Sequence, residues 1–169
     1  MKFRCDRDLL AEALNTSTKA VTNRATLPVL NGLHLNLEKD TLVITGSDLD
    51  LTITVSLDVG GERDGTSVVP ARLLSDVIRS VESGTVDITV NDTDLQVVAG
   101  RSEFALRTIP SEEHPLFEGI TSDPVTVDAS LLVSALEQVT PAASSDDSRP
   151  ILTGVYTVSY THLTLPTIA

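Results

Sequence analysis

The chain has few aromatic side chains, and it contains only one cysteine. Of its 169 residues, 3% are aromatic and none is tryptophan, so a core must be built mainly from leucine, valine and isoleucine. The single Cys5 excludes an intramolecular disulfide and is typical of a reducing compartment. Because Cys5 stands in an alternating stretch, we predict a small buried side chain rather than a reactive thiol.

Long apolar runs and an excess of basic residues are also missing. No run could span a bilayer, and the charged N-terminus is unlike a secretory signal, so we expect a cytoplasmic protein without a membrane partner. Twelve lysines and arginines stand against 24 aspartates and glutamates, giving a formal net charge of −12. This average argues against a nucleic-acid partner, although a local basic face can override it.

One stretch of the chain occurs twice. The sequence from Leu27 to Leu33 returns as the sequence from Arg149 to Val155, at an offset of 122 residues (150 − 28 = 122 for the prolines). The same offset aligns the apolar pattern 9–14 with 131–136. A fixed offset over a helix pattern and a strand pattern indicates a duplicated unit of normal domain size. We therefore predict a first domain at 1–122 and the beginning of a second at 123–156.

Each half of the first unit shows the same order of one strand, one helix and three strands. The predicted elements are strands at 2–5, 27–37, 42–45, 49–57, 67–69, 86–90, 95–99 and 104–109, with helices at about 9–21 and 70–81. The stretch 59–65 is predicted as a loop between the halves. This order predicts an α+β fold with antiparallel sheets and two helices on one face.

Particular residues refine these predictions. Leu9, Leu10, Ala13, Leu14 and Val21 are expected on the apolar face of the first helix, with Asp6 or Asp8 as its cap. Leu73 is expected on the apolar face of the second helix and Ser75 on its polar face. Gly32 interrupts a strand pattern, which suggests a bulge or a close backbone approach.

The second copy begins with a predicted strand at 125–127 and a helix at 129–139. After Arg149 no charged side chain occurs up to Ala169, and Pro166 falls where the repeat requires a strand residue. We interpret 157–169 as an anomalous tail of foreign or frame-shifted sequence.

No catalytic or metal-binding constellation is visible. The residues considered are three scattered histidines and two aspartate pairs at turns (His34, His114, His162, Asp48, Asp50, Asp92, Asp94). The histidines lack metal-ligand spacing, and aspartate is common in turns for backbone reasons. We expect no metal, no cofactor and no enzymatic activity.

Four cations lie on or beside the polar faces of the two predicted helices: Lys19, Arg24, Arg72 and Arg79. If both helices pack on one side of the sheet, that side is basic in an otherwise acidic chain. Such a face suits contact with a phosphate backbone without base readout. The alternative is an ordinary solvated surface, because Asp8, Glu12 and Asp76 dilute the positive field.

Several short motifs carry a resemblance. They are Met1–Phe3, Arg24 with Thr26–Leu30, Thr45–Leu51, Val69–Arg72, Gly100–Phe104 and Arg149–Gly154. In combination they resemble the bacterial sliding clamp, the beta subunit of DNA polymerase III, over residues 1 to about 156. The resemblance implies a DNA-clamp fold and three similar domains per subunit. It implies a homodimer ring whose helices face duplex DNA and contact it without sequence preference. It also implies that the protein catalyses no reaction. It also implies the replicative polymerase and a clamp loader as partners of the parent protein.

The resemblance also assigns roles to single residues. Arg24 and Arg72 match DNA-contacting positions inside the ring. Phe104 and Leu106 match an apolar pair of the dimer interface, and Arg101 matches a basic position there.

Arg149 and Leu152 match two positions of a pocket for partner peptides, which is only partly contained in this chain.

Two other functions remain open. A β-rich self-association module without DNA binding is favoured if the helix faces are neutral. An enzyme is favoured if titratable groups converge in one deep pocket.

Overall fold

A computed structural model describes residues 1–21, 28–91, 93–110, 126–146 and 148–158, in two units, Met1–Phe117 and Glu118–Ala169. Within these ranges no helix has the length and apolar character needed to cross a membrane. The elements of the first unit are β1 (Lys2–Asp6), α1 (Arg7–Ser17), 3₁₀ helices at Thr18–Ala20 and Pro28–Asn31, β2 (Gly32–Glu38), β3 (Thr41–Ser47), β4 (Thr52–Asp58), β5 (Gly60–Arg63), β6 (Gly65–Pro70), α2 (Ala71–Ser80), β7 (Thr85–Val90), β8 (Asp94–Ala99) and β9 (Ser102–Arg107).

The two halves of the first unit exchange their first strands. One sheet has the order β5-β1-β7-β8-β9 and the other has the order β4-β3-β2-β6, and all their pairs are antiparallel. Strand β1 of the first half therefore pairs with β7 of the second, and β6 of the second half pairs with β2 of the first. Neither half can complete its sheet alone. The predicted α+β architecture with antiparallel sheets is confirmed.

Helix α1 begins at a cap that the sequence predicts. The Asp6 carboxylate accepts hydrogen bonds from the backbone N–H groups of Asp8 and Leu9, at 2.8 and 3.1 Å. Its buried residues follow helical spacing: Leu10, Ala13, Leu14 and Ser17. The predicted face is wrong for Leu9, which is 53% exposed because it lies one position off this stripe.

Val21 lies beyond α1, since the 3₁₀ turn Thr18–Ala20 comes between them.

Helix α2 begins directly after Pro70, the last residue of β6. Leu74, Ser75 and Ile78 are buried, whereas Leu73 is exposed, so the predicted positions of Ser75 and Leu73 are both wrong. Ser75 tolerates burial because its hydroxyl lies 3.4 Å from the hydroxyl of Thr18. Helices α1 and α2 contact each other; α1 also contacts β3 and β4, and α2 contacts β2, β6 and β9.

Two predicted strands begin later than the alternating pattern indicates. The segment Pro28–Asn31 is a 3₁₀ helix, and its Val29 and Leu30 pack with Val68 and Ile109 in a small separate cluster. Proline cannot donate to a sheet, which explains the late start at Gly32. The close approach expected at Gly32 is confirmed, because an added Cβ would lie 2.6 Å from Val68 Cγ1.

Leu49 and Leu51 precede β4 instead of belonging to it. The Asp48 carboxylate accepts from the N–H groups of Asp50 and Leu51, which closes a turn, and Leu49 has a positive φ of 80°. The alternating pattern alone could not show this turn.

The predicted loop 59–65 is wrong, because it contains β5, which pairs with β1. This segment also contacts the turn between β2 and β3. The N–H of Val59 donates to the Asp40 carbonyl at 2.8 Å, and the N–H of Gly61 donates to Asp40 Oδ1 at 3.1 Å. The N–H of Lys39 donates to Asp64 Oδ1 at 2.8 Å. These bonds connect an edge of one sheet to a turn of the other.

The second unit repeats the local structure of the first. Helix α3 (Ala129–Val139) has the bounds of α1 shifted by 122 residues (129 − 7 = 122), and 3₁₀ helices follow at Thr140–Ala142 and Pro150–Leu152. Asp128 caps α3 as Asp6 caps α1. Hydrogen bonds from the Ser130 hydroxyl and the Leu131 N–H lower the pKa of Asp128. No strand occurs at 126–128, so the described part of the strand predicted at 125–127 is wrong; residue 125 lies outside the described ranges.

Substitutions at two neighbouring glycines of β5 can test the contact between this strand and the turn that joins β2 to β3, here called the junction. An alanine Cβ at position 61 would overlap the carbonyl of Lys39, whereas at position 60 it would lie 3.6 Å from the Arg4 carbonyl, an ordinary contact. We expect Gly61→Ala to lower the free energy of unfolding by about 2 kcal/mol or more, and the control Gly60→Ala to change it by less than about 0.5 kcal/mol. Urea unfolding of the whole chain measures both; equal midpoints for the two variants would contradict the junction.

Candidate nucleic-acid interface

The exposed side of α1, of the 3₁₀ turn after it and of α2 is here called the helix face. Its polar side chains are Asp8, Glu12, Asn15, Lys19, Arg72, Asp76 and Arg79. Helical spacing places Arg72, Asp76 and Arg79 on one stripe of α2, since they are separated by four and three residues. The packing of α1 against α2 brings cations of two separate segments to one side of the unit.

The helix face is balanced in charge rather than strongly basic. Three cations stand against three acidic groups, while the chain as a whole carries −12. Asp8 is paired with Arg7 at 2.7 Å. Among described residues, none of Lys19, Arg72 and Arg79 forms an ion pair. Lys19, Arg72 and Arg79 are therefore exposed cations outside any described ion pair. Arg24 lies outside the described residues.

A polar contact joins the two helices at this face. Arg79 Nη2 donates to Asn15 Oδ1 at 2.8 Å. Arg7 Nε donates to the Ile78 carbonyl at 2.8 Å, and Arg7 Nη2 donates to the Arg79 carbonyl at 2.7 Å. Neither Asn15 nor Arg7 is among the site residues predicted from the sequence. Their partners are 64 to 72 residues away along the chain, so no local pattern could indicate them.

The predicted interface residues Phe104 and Leu106 lie on β9, an edge strand of its sheet. Both are partly exposed and pack against the main core, while Ala105 between them is exposed on the opposite side. Arg101 is exposed in the turn before β9, separate from this apolar pair. An edge strand with apolar side chains is a ready template for pairing with another strand.

The two residues predicted for a peptide pocket differ in their surroundings. Leu152 lines an open apolar groove of about 650 Å³ with Leu132, Leu136, Val139, Ile151 and Tyr156. Arg149 does not line this groove; its N–H donates to the Asp146 carbonyl at 3.3 Å. The structure therefore brings Leu152, but not Arg149, to the groove.

The residues considered for metal binding have other surroundings. In the described ranges, no group of three or more histidine, cysteine, aspartate or glutamate side chains could hold a metal ion. The Asp48 carboxylate closes the turn before β4, and His34 is half-buried in β2. Asp92, His114 and His162 lie outside the described residues.

Cys5 is buried in the core, as predicted. Burial, with smaller contributions from the charges of Asp6 and Asp87, raises the pKa of its thiol to about 12. The thiolate is the reactive form, and at neutral pH it is therefore scarce as well as inaccessible.

Comparison with known proteins identifies the family to which this fold belongs. Residues 1–118 match the family described as DNA polymerase III beta subunit, N-terminal domain. The beta sliding clamp of Streptomyces coelicolor is 37% identical over 92% of this chain and 41% of its own length. The DNA polymerase sliding clamp of Bacillus subtilis superposes with a TM-score of 0.86 at 30% identity, over 91% of this chain and 43% of that one. The DNA polymerase III subunit beta of Pseudomonas aeruginosa gives 0.85 at 31% identity, over 91% and 43%.

The fold is that of a DNA-clamp domain, with two adjacent helices and antiparallel sheets. The chain belongs to the family of the DNA polymerase III beta subunit, the bacterial sliding clamp. It spans about two fifths of the length of these relatives.

The state of Cys5 can be tested by alkylation. We expect iodoacetamide to leave the native chain unlabelled at pH 8 and to label it rapidly in urea, because only unfolding exposes the thiol and lowers its pKa towards the ordinary value of about 8.5. Mass spectrometry after timed labelling measures the rate, and a free cysteine-containing peptide is the control. Native labelling at the peptide's rate would contradict the buried position.

Proposed function

We propose that this chain is the first domain and part of the second domain of a DNA sliding clamp. The complete protein would be a non-enzymatic cytoplasmic homodimer that encircles duplex DNA and holds the replicative polymerase on it, after a clamp loader has placed it. The observation that carries the proposal is the helix face: three exposed cations outside any described ion pair, in a chain of net charge −12.

A balanced face suits this function. Phosphate contacts give affinity without sequence preference, and that affinity falls steeply with salt. A ring that moves along DNA is held by topology, so a few weak contacts are sufficient. Arg72, Arg79, Lys19 and, from the sequence, Arg24 are the proposed DNA contacts.

The edge strand β9 supports the homodimer part of the proposal. Phe104 and Leu106 would join the complementary edge of another subunit, with Arg101 beside them, and a head-to-tail interface of this kind closes a ring. The balanced charge of the helix face is the condition that favours self-association without DNA. This alternative would, however, leave the exposed cations without a role, and it does not account for the match of residues 1–118 to the DNA polymerase III beta subunit family. Leu152, with Arg149 nearby, is proposed as one side of a pocket for partner peptides.

Charge reversal tests the helix face. We expect Lys19→Glu with Arg72→Glu to weaken binding of this chain to a short duplex. The slope of log K against log salt should lose about two in magnitude, since two phosphate contacts are removed. An NMR titration at low salt measures the dissociation constant.

Lys39→Glu is the matched control for either single reversal, because it changes the charge by the same amount and Lys39 is exposed in the turn between β2 and β3. If the control loses as much affinity, the loss depends on the total charge of the chain and not on the position of the cations. The helix face would then have no particular role in binding.

The ring interface has its own test, in a complete clamp that carries this domain. We expect Leu106→Asp to weaken the dimer by roughly a hundred-fold or more, because a buried charge replaces an apolar contact. Ala105→Asp places the same charge on the opposite side of β9 and is the control. Analytical ultracentrifugation measures both; a dimer unaffected by Leu106→Asp would assign β9 to another surface.

A further inference from the structure

Arg79 is held by the neighbouring helix at two points. Its guanidinium Nη2 donates to Asn15 Oδ1 at 2.8 Å, and its carbonyl accepts from Arg7 Nη2 at 2.7 Å. Asn15 and Arg7 both belong to α1, whereas Arg79 lies in the last turn of α2. Helix α1 thus fixes both the backbone and the charged end of this residue.

The Arg7 side chain that bonds the Arg79 carbonyl has further partners. The Arg7 side chain is only 19% exposed, and it also bonds the Ile78 carbonyl and the Asp8 carboxylate. Carbonyls in the last turn of a helix lack intrahelical partners and carry partial negative charge, so a guanidinium group is well suited to them. The side chain of Arg79 therefore starts from a fixed point.

The contact with Asn15 leaves other donors of the Arg79 guanidinium group available. Asn15 Oδ1 accepts from Arg79, and no described residue accepts from Asn15 Nδ2 or from Arg79 Nε. Both side chains are exposed. The Nε–H group and the remaining Nη N–H groups of Arg79 suit the anionic oxygens of one phosphodiester. Lys19 and Arg72, in contrast, form no side-chain hydrogen bond to another described residue.

We propose that Asn15 is a positioning residue that orients Arg79 toward a backbone phosphate of duplex DNA. This inference rests on the proposed function of the helix face. A cation already held in its binding geometry loses less side-chain freedom on binding than a mobile one. Arg79 therefore contributes more to DNA affinity than Lys19 does.

A double-mutant cycle tests the coupling. The ¹⁵N-labelled chain is titrated with a short duplex at low salt, and dissociation constants are compared for Asn15→Ala, Arg79→Gln and the double variant. We expect Asn15→Ala to weaken binding roughly three-fold alone and to have no further effect once Arg79 is replaced. Lys19→Gln is the matched control cation. In that background Asn15→Ala should again cost roughly three-fold, since the two positions act independently.

Alanine is a better helix former than asparagine at an exposed position, so a loss of binding would not reflect a weakened fold. A second variant, Asn15→Asp, keeps the shape and the acceptor but pairs Arg79 with a negative charge. We expect it to reduce the salt slope by about one, and by less in the Arg79→Gln background, where no Arg79 charge is left to neutralise.

The outcomes separate the two proposals. An unchanged dissociation constant for Asn15→Ala, or an equal loss with and without Arg79, would overturn the positioning role while leaving the helix face intact. A salt slope unchanged by Asn15→Asp would overturn it too. If Arg79→Gln, Lys19→Gln and the charge reversals all leave binding unchanged, the helix face itself does not contact DNA.

Discussion

The exchange of first strands between the halves is the constraint on which the rest of the first unit depends. Because β1 completes the sheet of the second half and β6 completes that of the first, each helix follows a strand in one sheet and leads to strands in the other. Such pairings join distant parts of the chain, and they form only when both halves are present. The side-by-side position of α1 and α2, and with it the helix face, follows from this exchange.

The charge distribution reconciles an acidic chain with the nucleic-acid partner proposed above. Three acidic groups lie on the helix face, but others occupy turns and sheet edges, where Asp40, Asp48 and Asp64 bond backbone N–H groups and so serve the fold. The cations of the helix face are not used in this way, apart from Arg79, which is held by Asn15. Net charge therefore describes solubility and long-range repulsion, whereas the local surface decides what the protein can contact.

The sequence predicted what is encoded locally and missed what depends on distant contacts. The cap at Asp6, the alternating strand at Leu33, Leu35 and Leu37, and helix α3 follow from short-range patterns. Strand β5 was missed because its pairing with β1 outweighs a glycine-rich, polar sequence. For the helix face, the sequence could predict the cationic residues and the helices that carry them. The bond from Arg79 to Asn15 could not, because side-chain partners 64 residues apart leave no periodic signal.

The two copies of the repeat share local hydrogen bonds but differ in tertiary packing. Asp128 caps α3, and the Thr140 hydroxyl bonds the Leu136 carbonyl at 2.6 Å, as the Thr18 hydroxyl bonds the Leu14 carbonyl at the same distance. The aspartate cap and the threonine bond are therefore shared by both units, but burial is not. Leu10 and Leu14 are buried in the first core, whereas their counterparts Leu132 and Leu136 line an open groove. Leu30 is likewise covered by Val68 and Ile109, while its counterpart Leu152 is half exposed. The same motif can thus close a core or leave an apolar surface, and the strands packed around it decide which of the two it does.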